Sequence, residues 1–148
     1  MNHKEMHKKT QWQRREKTFT VEVSHHTVTF NDDEGQNRWN VYAHLIDKHP
    51  RFAKITSDSI FDDGLDGLPF HWGCTFCEKI KYGETFEVRK IGSDYSHIDD
   101  RRFKETDNPD EEWRVFADAE ELFAVLLKEQ NESVVIPAVE AAEAKEAS

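Results

Sequence analysis

The chain has 148 residues, of which 34% are charged and 36% are apolar, and its formal charge is −10. This length fits one domain that can bury a core without disulfide bonds. The charge argues against direct binding of duplex DNA by the body of the protein, because phosphate backbones are bound by clustered Lys and Arg side chains.

Three segments differ in composition. Residues 1–17 are polar and basic and lack periodicity, which predicts a flexible N-terminal arm. Residues 18–132 contain most of the large apolar side chains and are expected to form a single α+β domain. Residues 133–148 are rich in Ala and Glu, which indicates a disordered tail. Residues 1–18 carry a net +4, which leaves −14 on the remainder of a chain whose total is −10.

Alternating apolar and polar side chains predict the first strands. Phe19–Val23 and Thr27–Phe30 have the pattern of half-buried strands. The Asp- and Gly-containing segment Asn31–Gly35 indicates a turn, and Trp39–Ile46 is predicted to be the next strand. A β-meander is the simplest arrangement of these elements.

A proline marks the next element. Pro50 suits the first turn of a short central helix that ends near Ile60. Phe70–Phe76 and Thr85–Ile91 have strand patterns, and the tight turn Lys81–Glu84 predicts that they pair as an antiparallel hairpin.

The last predicted element is a C-terminal helix. Asp118 is a suitable N-cap for a helix over Ala119–Gln130. Its apolar stripe consists of Leu122, Phe123, Leu126 and Leu127. The fold class predicted from these elements is α+β: a mainly antiparallel sheet with a short central helix and a C-terminal helix packed on the sheet.

The expected location is the cytoplasm. No apolar run approaches the roughly 20 residues that span a bilayer, and the N-terminus lacks the apolar region of a secretion signal. The two cysteines, Cys74 and Cys77, cannot form a disulfide framework. Their Cys-x-x-Cys spacing leaves a zinc or redox role open, although a strand would place the two sulfurs on opposite faces.

The predicted strand Phe70–Phe76 has one face suited to a ligand. Alternation places His71, Gly73 and Thr75 on the same side, where the glycine leaves space between the imidazole and the hydroxyl. The opposite face is expected to be core: Trp72, Cys74 and Phe76. A histidine on a strand is equally compatible with a purely structural role.

A second group of polar side chains lies in the segment Gly92–Asp100. Asp94 and His97 are three residues apart and would share one side of a helical turn, and Asp100 continues that line. A carboxylate beside an imidazole suits acid–base chemistry, and a local hydrogen bond or cap is the structural alternative. The predicted hairpin would bring His71 close to Asp94 and His97.

These groups give two mechanisms for one pocket. In the metal-free version, His71 and His97 act as acid and base, and Asp94 orients His97. In the other version, Asp94, His97 and Asp100 hold a divalent metal ion, which would help an acidic protein to bind an anion. The ligand-binding residues are expected to be Gly73, Thr75, Gly92 and Ser96.

The segments His71–Phe76 and Gly92–Asp100 resemble a pattern found in small, uncharacterised phage-encoded proteins, H-G-G-[LI]-T-[YF] followed by G-x-D-x-x-H-x-x-D. The chain departs from this pattern at Trp72, where the second glycine stands, and at Cys74, where an aliphatic residue stands. The resemblance implies a phage accessory protein and supplies no activity. It marks His71, Gly73, Thr75, Gly92, Asp94, His97 and Asp100.

The leading hypothesis is a phage accessory protein, acting in counter-defence, whose His/Asp/Thr pocket binds or hydrolyses a small phosphate-containing ligand such as a nucleotide. As an enzyme it would be a phosphodiesterase-like hydrolase. The alternative is an acidic, non-catalytic inhibitor that docks on a basic host protein, a nuclease or an anti-phage effector, especially through the run Asp99–Glu121. Self-association remains open. Its candidate surface residues are Trp12, Trp39 and Phe52.

Overall fold

The computed structural model describes residues 9–28, 36–96, 100–108 and 112–147. Its strands are β1 (Lys9–Arg15), β2 (Phe19–Thr27), β3 (Asn37–Ile46), β4 (Phe76–Tyr82) and β5 (Phe86–Asp94). Its helices are α1 (Pro50–Lys54), α2 (Arg101–Lys104) and α3 (Trp113–Ala147), and a 3-10 turn covers Asp63–Leu65. The described strands form one antiparallel sheet in the order β1-β2-β3-β5-β4. The predicted α+β class is confirmed.

One face of the sheet packs against α3. In β2 and β3 the alternating side chains of paired residues, such as Val21 opposite Ala43 and Val23 opposite Val41, are buried on this face. The helix contributes Leu122, Phe123 and Leu126 to the same core. Because strand side chains alternate and helical ones recur every three to four residues, the two patterns meet along a single apolar layer.

The segment between β3 and β4 is anchored to α3 by two neighbouring residues. His49 caps α1, because its Nδ1 accepts a hydrogen bond from the Arg51 backbone N–H at 3.0 Å, and its Nε2 donates to the Leu126 carbonyl at 2.9 Å. The Arg51 guanidinium pairs with Glu129 of α3 and donates to the Asp66 carbonyl at 2.6 Å. These bonds fix the connection that leads towards His71.

Several predicted boundaries differ from the structure. Residues 9–15, predicted as part of a flexible arm, form β1, because their backbone pairs with β2 and Trp12 packs against the core. The central helix ends at Lys54 rather than near Ile60. The helix α3 begins before Asp118, so Asp118 is not its N-cap, and its backbone is helical to Ala147, where the sequence predicts disorder.

The remaining predictions concern the turns between strands, the aromatic side chains and membrane-spanning helices. The predicted strand end at Phe30 and the turn Asn31–Gly35 lie outside the described residues. An antiparallel hairpin forms around the predicted turn, with Tyr82 opposite Phe86, but its first strand is β4, so the predicted strand Phe70–Phe76 is wrong. Trp39 is fully buried, and Trp12 and Phe52 are partly buried against the core, so Trp39 cannot contribute to a self-association surface. Among the described helices, none combines the length and apolar content needed to cross a membrane.

Candidate functional site

His71 and Asp100 form a hydrogen-bonded pair although 28 residues separate them in the sequence. His71 lies in a turn before β4, and its Nε2 is 2.7 Å from Oδ1 of Asp100, immediately before α2. Asp100 is only 1% exposed, whereas the His71 side chain is 17% exposed. A buried carboxylate therefore holds an imidazole that still reaches the surface.

Aromatic rings fix the His71 imidazole from two sides. Tyr95 stacks on it with ring centroids 4.2 Å apart and planes 17° apart, and Phe103 contacts it edge-on at 5.8 Å. The Tyr95 hydroxyl donates to Oδ2 of Asp118 at 2.5 Å, which ties the stack to α3. Burial and, next, the hydrogen bond to Asp118 raise the pKa of Tyr95, so its phenol stays protonated. The imidazole is thus restrained in both position and tilt.

An open groove of about 620 Å³ lies against this pair. Two exposed indoles line it, Trp72 at 66% and Trp113 at 56% exposure. Two guanidiniums, those of Arg102 and Arg114, also line it. The lining carboxylates are Asp100, Asp118 and Glu121. A volume of this size falls within the range of about 300–1,000 Å³ that is usual for small-molecule sites.

The backbone before β4 does not have the predicted strand conformation. Trp72 has a φ of 57° and Gly73 a φ of 90°, so two consecutive residues occupy the left-handed region. This conformation is unfavourable for a side chain such as that of Trp. The prediction that Trp72 faces the core is wrong, because the turn directs its indole outwards.

Thr75 and Asp94 close the open end of the hairpin. The Thr75 backbone N–H donates to the Gly92 carbonyl at 2.8 Å, and the Asp94 N–H donates to the Thr75 hydroxyl oxygen at 3.0 Å. The Asp94 carboxylate accepts from the Ser96 N–H at 3.1 Å. All three predicted site residues, Thr75, Asp94 and Ser96, therefore take part in local backbone bonds.

Gly92 has a packing role. A Cβ at this position would lie 2.5 Å from the Val41 carbonyl oxygen and closer still to the Tyr42 ring. The glycine therefore lets β5 approach β3. Burial, followed by the nearby charges of Glu22 and Asp94, raises the pKa of Tyr42 to about 12.

The structure brings together only some of the predicted site residues. His71 lies in the turn before β4 and not on a strand of the hairpin, and the carboxylate that it contacts is Asp100. His97 lies outside the described residues, so the predicted acid–base partnership of His71 with His97 stays a prediction. Within the described part of the chain, no three His, Cys, Asp or Glu side chains are grouped to hold a metal ion. The predicted metal set of Asp94, His97 and Asp100 includes His97 and stays a prediction for the same reason.

The two cysteines are separate, free thiols. Cys74 Sγ lies 3.0 Å from the Phe76 carbonyl oxygen, and Cys77 Sγ lies 3.5 Å from that of Ser57. Burial raises the pKa of both thiols. A raised pKa disfavours the thiolate, which is the nucleophilic and metal-binding form.

Sequence reasoning missed the aromatic and cationic walls of the groove. Tyr95 had a usable signal, because it continues the buried alternation of Ile91 and Ser93 beyond the end of β5. The walls formed by Arg102, Trp113 and Arg114 had none, since the contact of α3 with the turn at His71 is long-range. Comparison of the chain with known protein families, curated proteins and solved structures finds no match.

Proposed function

We propose that the groove beside His71 and Asp100 binds a small phosphate-containing ligand such as a nucleotide, and that His71 exchanges a proton with it. The observation that carries this proposal is the 2.7 Å contact between the two side chains at the groove. A carboxylate that accepts from one imidazole nitrogen fixes the tautomer and stabilises the protonated ring. Nε2 faces Asp100, and the proposal assigns the proton exchange to Nδ1.

The groove walls suit the two halves of a nucleotide. Trp72 and Trp113 present exposed indole faces, and stacking on an aromatic side chain contributes about 1–3 kcal/mol per base. Arg102 and Arg114 supply the planar donors that pair with phosphate oxygens. The Arg114 guanidinium lies 5.3 Å from the Trp113 ring centroid, which combines a cation with a stacking surface.

The charge of the groove favours a small ligand over a polymer. Of its three carboxylates, Asp100 is bonded to His71 and Asp118 to Tyr95, and Glu121 is exposed. A polyanion would extend onto the acidic surface of the remaining chain, where it would be repelled. A mononucleotide or dinucleotide needs only the local arginines. A divalent ion bound with the ligand is the second version of this proposal, and it would offset the repulsion from Glu121.

The test is a calorimetric titration of the full chain with linear and cyclic nucleotides, each with Mg²⁺ and with EDTA, followed by chromatographic analysis for hydrolysis. His71→Gln and Arg114→Gln are expected to weaken binding by about tenfold or more. The matched control is His44→Gln, because His44 Nε2 makes a similar 2.8 Å contact to Glu22 elsewhere on the sheet. Equal affinity in wild type, His71→Gln and Arg114→Gln would reject the proposal.

The biological setting that we propose follows the resemblance to phage-encoded proteins. A phage accessory protein in the host cytoplasm that sequesters or hydrolyses a nucleotide signal would act in counter-defence. The corresponding cellular test measures the nucleotide concentration in cells that express the protein. Wild type is expected to change this concentration, and His71→Gln is expected to leave it unchanged.

A further inference from the structure

Phe61 is the most exposed large apolar side chain among the described residues. Its exposure is 86%, and the adjacent Ile60 is 37% exposed. An aromatic side chain that remains in water gains free energy when another molecule covers it, and aromatic anchors of this kind dominate many protein interfaces. The Phe61 loop, residues 56–66, therefore presents a candidate anchor.

The Phe61 loop is held in one conformation by Asp62. One oxygen of this carboxylate accepts from the Ser57 hydroxyl at 2.8 Å and from the Thr56 backbone N–H at 3.2 Å. The other oxygen accepts from the Gly64 N–H at 2.8 Å. The hydrogen bond from Gly64, followed by the one from Ser57, lowers the pKa of Asp62, so the carboxylate stays ionised at neutral pH.

A buried arginine of β5 ties the same loop to the sheet. Arg89 is 2% exposed, and its guanidinium donates to Oδ1 of Asp58 at 2.5 Å and to the Ser57 carbonyl at 3.1 Å. A loop that is already ordered loses little conformational entropy on binding, which favours its use as a docking element.

The charge around Phe61 indicates the chemistry of the partner. Residues 55–78 contain five acidic side chains and no Lys or Arg. Those that lie in the loop itself are Asp58, Asp62, Asp63 and Asp66. Two buried guanidiniums contact the loop from outside it, Arg89 at Asp58 and Arg51 at the Asp66 carbonyl, so the exposed charge beside Phe61 is that of Asp63 and Asp66. These carboxylates disfavour nucleic acid and anionic membrane surfaces as partners, and they oppose contact between two copies of the loop.

We propose that the Phe61 loop docks on a basic partner protein whose apolar pocket, rimmed by Lys or Arg, receives the Phe61 ring. This surface is distinct from the ligand groove, although Phe70 lines both that groove and a smaller one beside Phe61. A docked partner would therefore lie next to the mouth of the ligand groove. The proposal does not depend on nucleotide binding.

The first step of the test is photo-crosslinking. A benzophenone amino acid replaces Phe61 in the full chain, in cells where the chain is naturally made, and mass spectrometry identifies the adduct. The control places the same group at Tyr82, which is 56% exposed on β4, away from this loop. A partner with a basic surface crosslinked from position 61 and not from position 82 is the expected result.

The second step measures binding of the purified crosslinked partner to unlabelled protein. Phe61→Ala and Asp63→Lys are each expected to lower the affinity by about tenfold, and binding should weaken several-fold as salt rises from about 50 to 500 mM. Tyr82→Ala and His71→Gln should bind as wild type. The proposal is overturned by the absence of an adduct at position 61, by an adduct only with a second copy of the chain, or by affinity that is indifferent to Phe61→Ala.

Discussion

Asp100 holds the His71 ring through Nε2, at 2.7 Å, which leaves Nδ1 as the nitrogen turned away from the carboxylate. An ionised carboxylate accepts only, so it selects the neutral tautomer with the proton on Nε2. Asp100→Asn replaces it with an amide that can donate or accept. We expect ¹⁵N imidazole spectra to show Nε2–H for wild type and a mixture of tautomers for the variant.

The same substitution tests the link to chemistry. If the groove hydrolyses a nucleotide, Asp100→Asn should lower the rate by about a hundredfold or more, as expected when a histidine base loses its orienting carboxylate. Asp94→Asn is the control, because Asp94 accepts from the Ser96 N–H and should leave the His71 nitrogen shifts unchanged. Wild-type His71 protonated on Nδ1 would contradict the assignment.

Trp72 should show opposite effects on stability and on ligand binding. Its φ of 57° costs a non-glycine residue about 1–2 kcal/mol, whereas glycine adopts this region freely but loses about 0.5–1 kcal/mol more backbone entropy on folding. Trp72→Gly is therefore expected to raise the free energy of unfolding by up to about 1 kcal/mol in urea titrations.

The same variant removes an exposed indole from the groove, so nucleotide affinity should fall by about fivefold or more. Trp113→Ala provides the comparison, since it removes the other exposed indole from a helical position without changing a left-handed residue. A marked loss of stability in Trp72→Gly would show that the indole stabilises the fold.

The main sheet was predictable from the sequence because α3 covers only one of its faces. Apolar side chains recur at every second residue of β2 and β3 where they face α3, while the residues between them are mostly polar even where they are buried, and Gly83 marks the hairpin turn with its φ of 73°. By contrast, β1 is an edge strand in which Trp12 is the only large apolar residue, and its pairing depends on backbone hydrogen bonds. Backbone bonds leave no signature in side-chain type.

The pairing of His71 with Asp100 could not be resolved from the sequence. Asp94 and Asp100 are both three residues from His97, so spacing alone does not indicate which of the two carboxylates bonds to an imidazole. In the structure the Asp94 N–H is bonded to Thr75, and the left-handed turn at Trp72 lies next to His71, which contacts Asp100. A tryptophan rarely adopts a left-handed conformation, so no turn was expected at Trp72. The residues around it alternate as in a strand, and a strand was therefore predicted.

Gly92→Ala should destabilise the sheet through steric overlap. The new Cβ would lie 2.5 Å from the Val41 carbonyl oxygen, and a backbone atom cannot move without disturbing the pairing of β3 with β5. We expect a loss of about 1–3 kcal/mol in the free energy of unfolding, measured by urea denaturation. Gly83→Ala is the control, because its Cβ would meet no atom within 4 Å and only its φ of 73° carries a cost. An unchanged free energy of unfolding in Gly92→Ala would contradict the overlap.

His49 should make the fold sensitive to acid. Burial lowers the pKa of His49. The hydrogen bond to the Leu126 carbonyl and the charge of Glu129 oppose this shift, and the charges of Arg51 and Lys54 add to it. Its neutral form satisfies both ring nitrogens, and a proton on Nδ1 would face the Arg51 N–H. As the pH is lowered, the unfolded chain takes up this proton before the folded chain does. The contribution of His49 to stability should therefore be complete above about pH 6.5. Below that pH the free energy of unfolding should fall by up to about 1.4 kcal/mol per pH unit, until the lower pKa of the folded state is reached. His49→Asn keeps an acceptor for the cap but cannot titrate, so its urea-denaturation midpoint should vary less with pH than that of wild type. Parallel pH profiles of the two midpoints would contradict the role of His49.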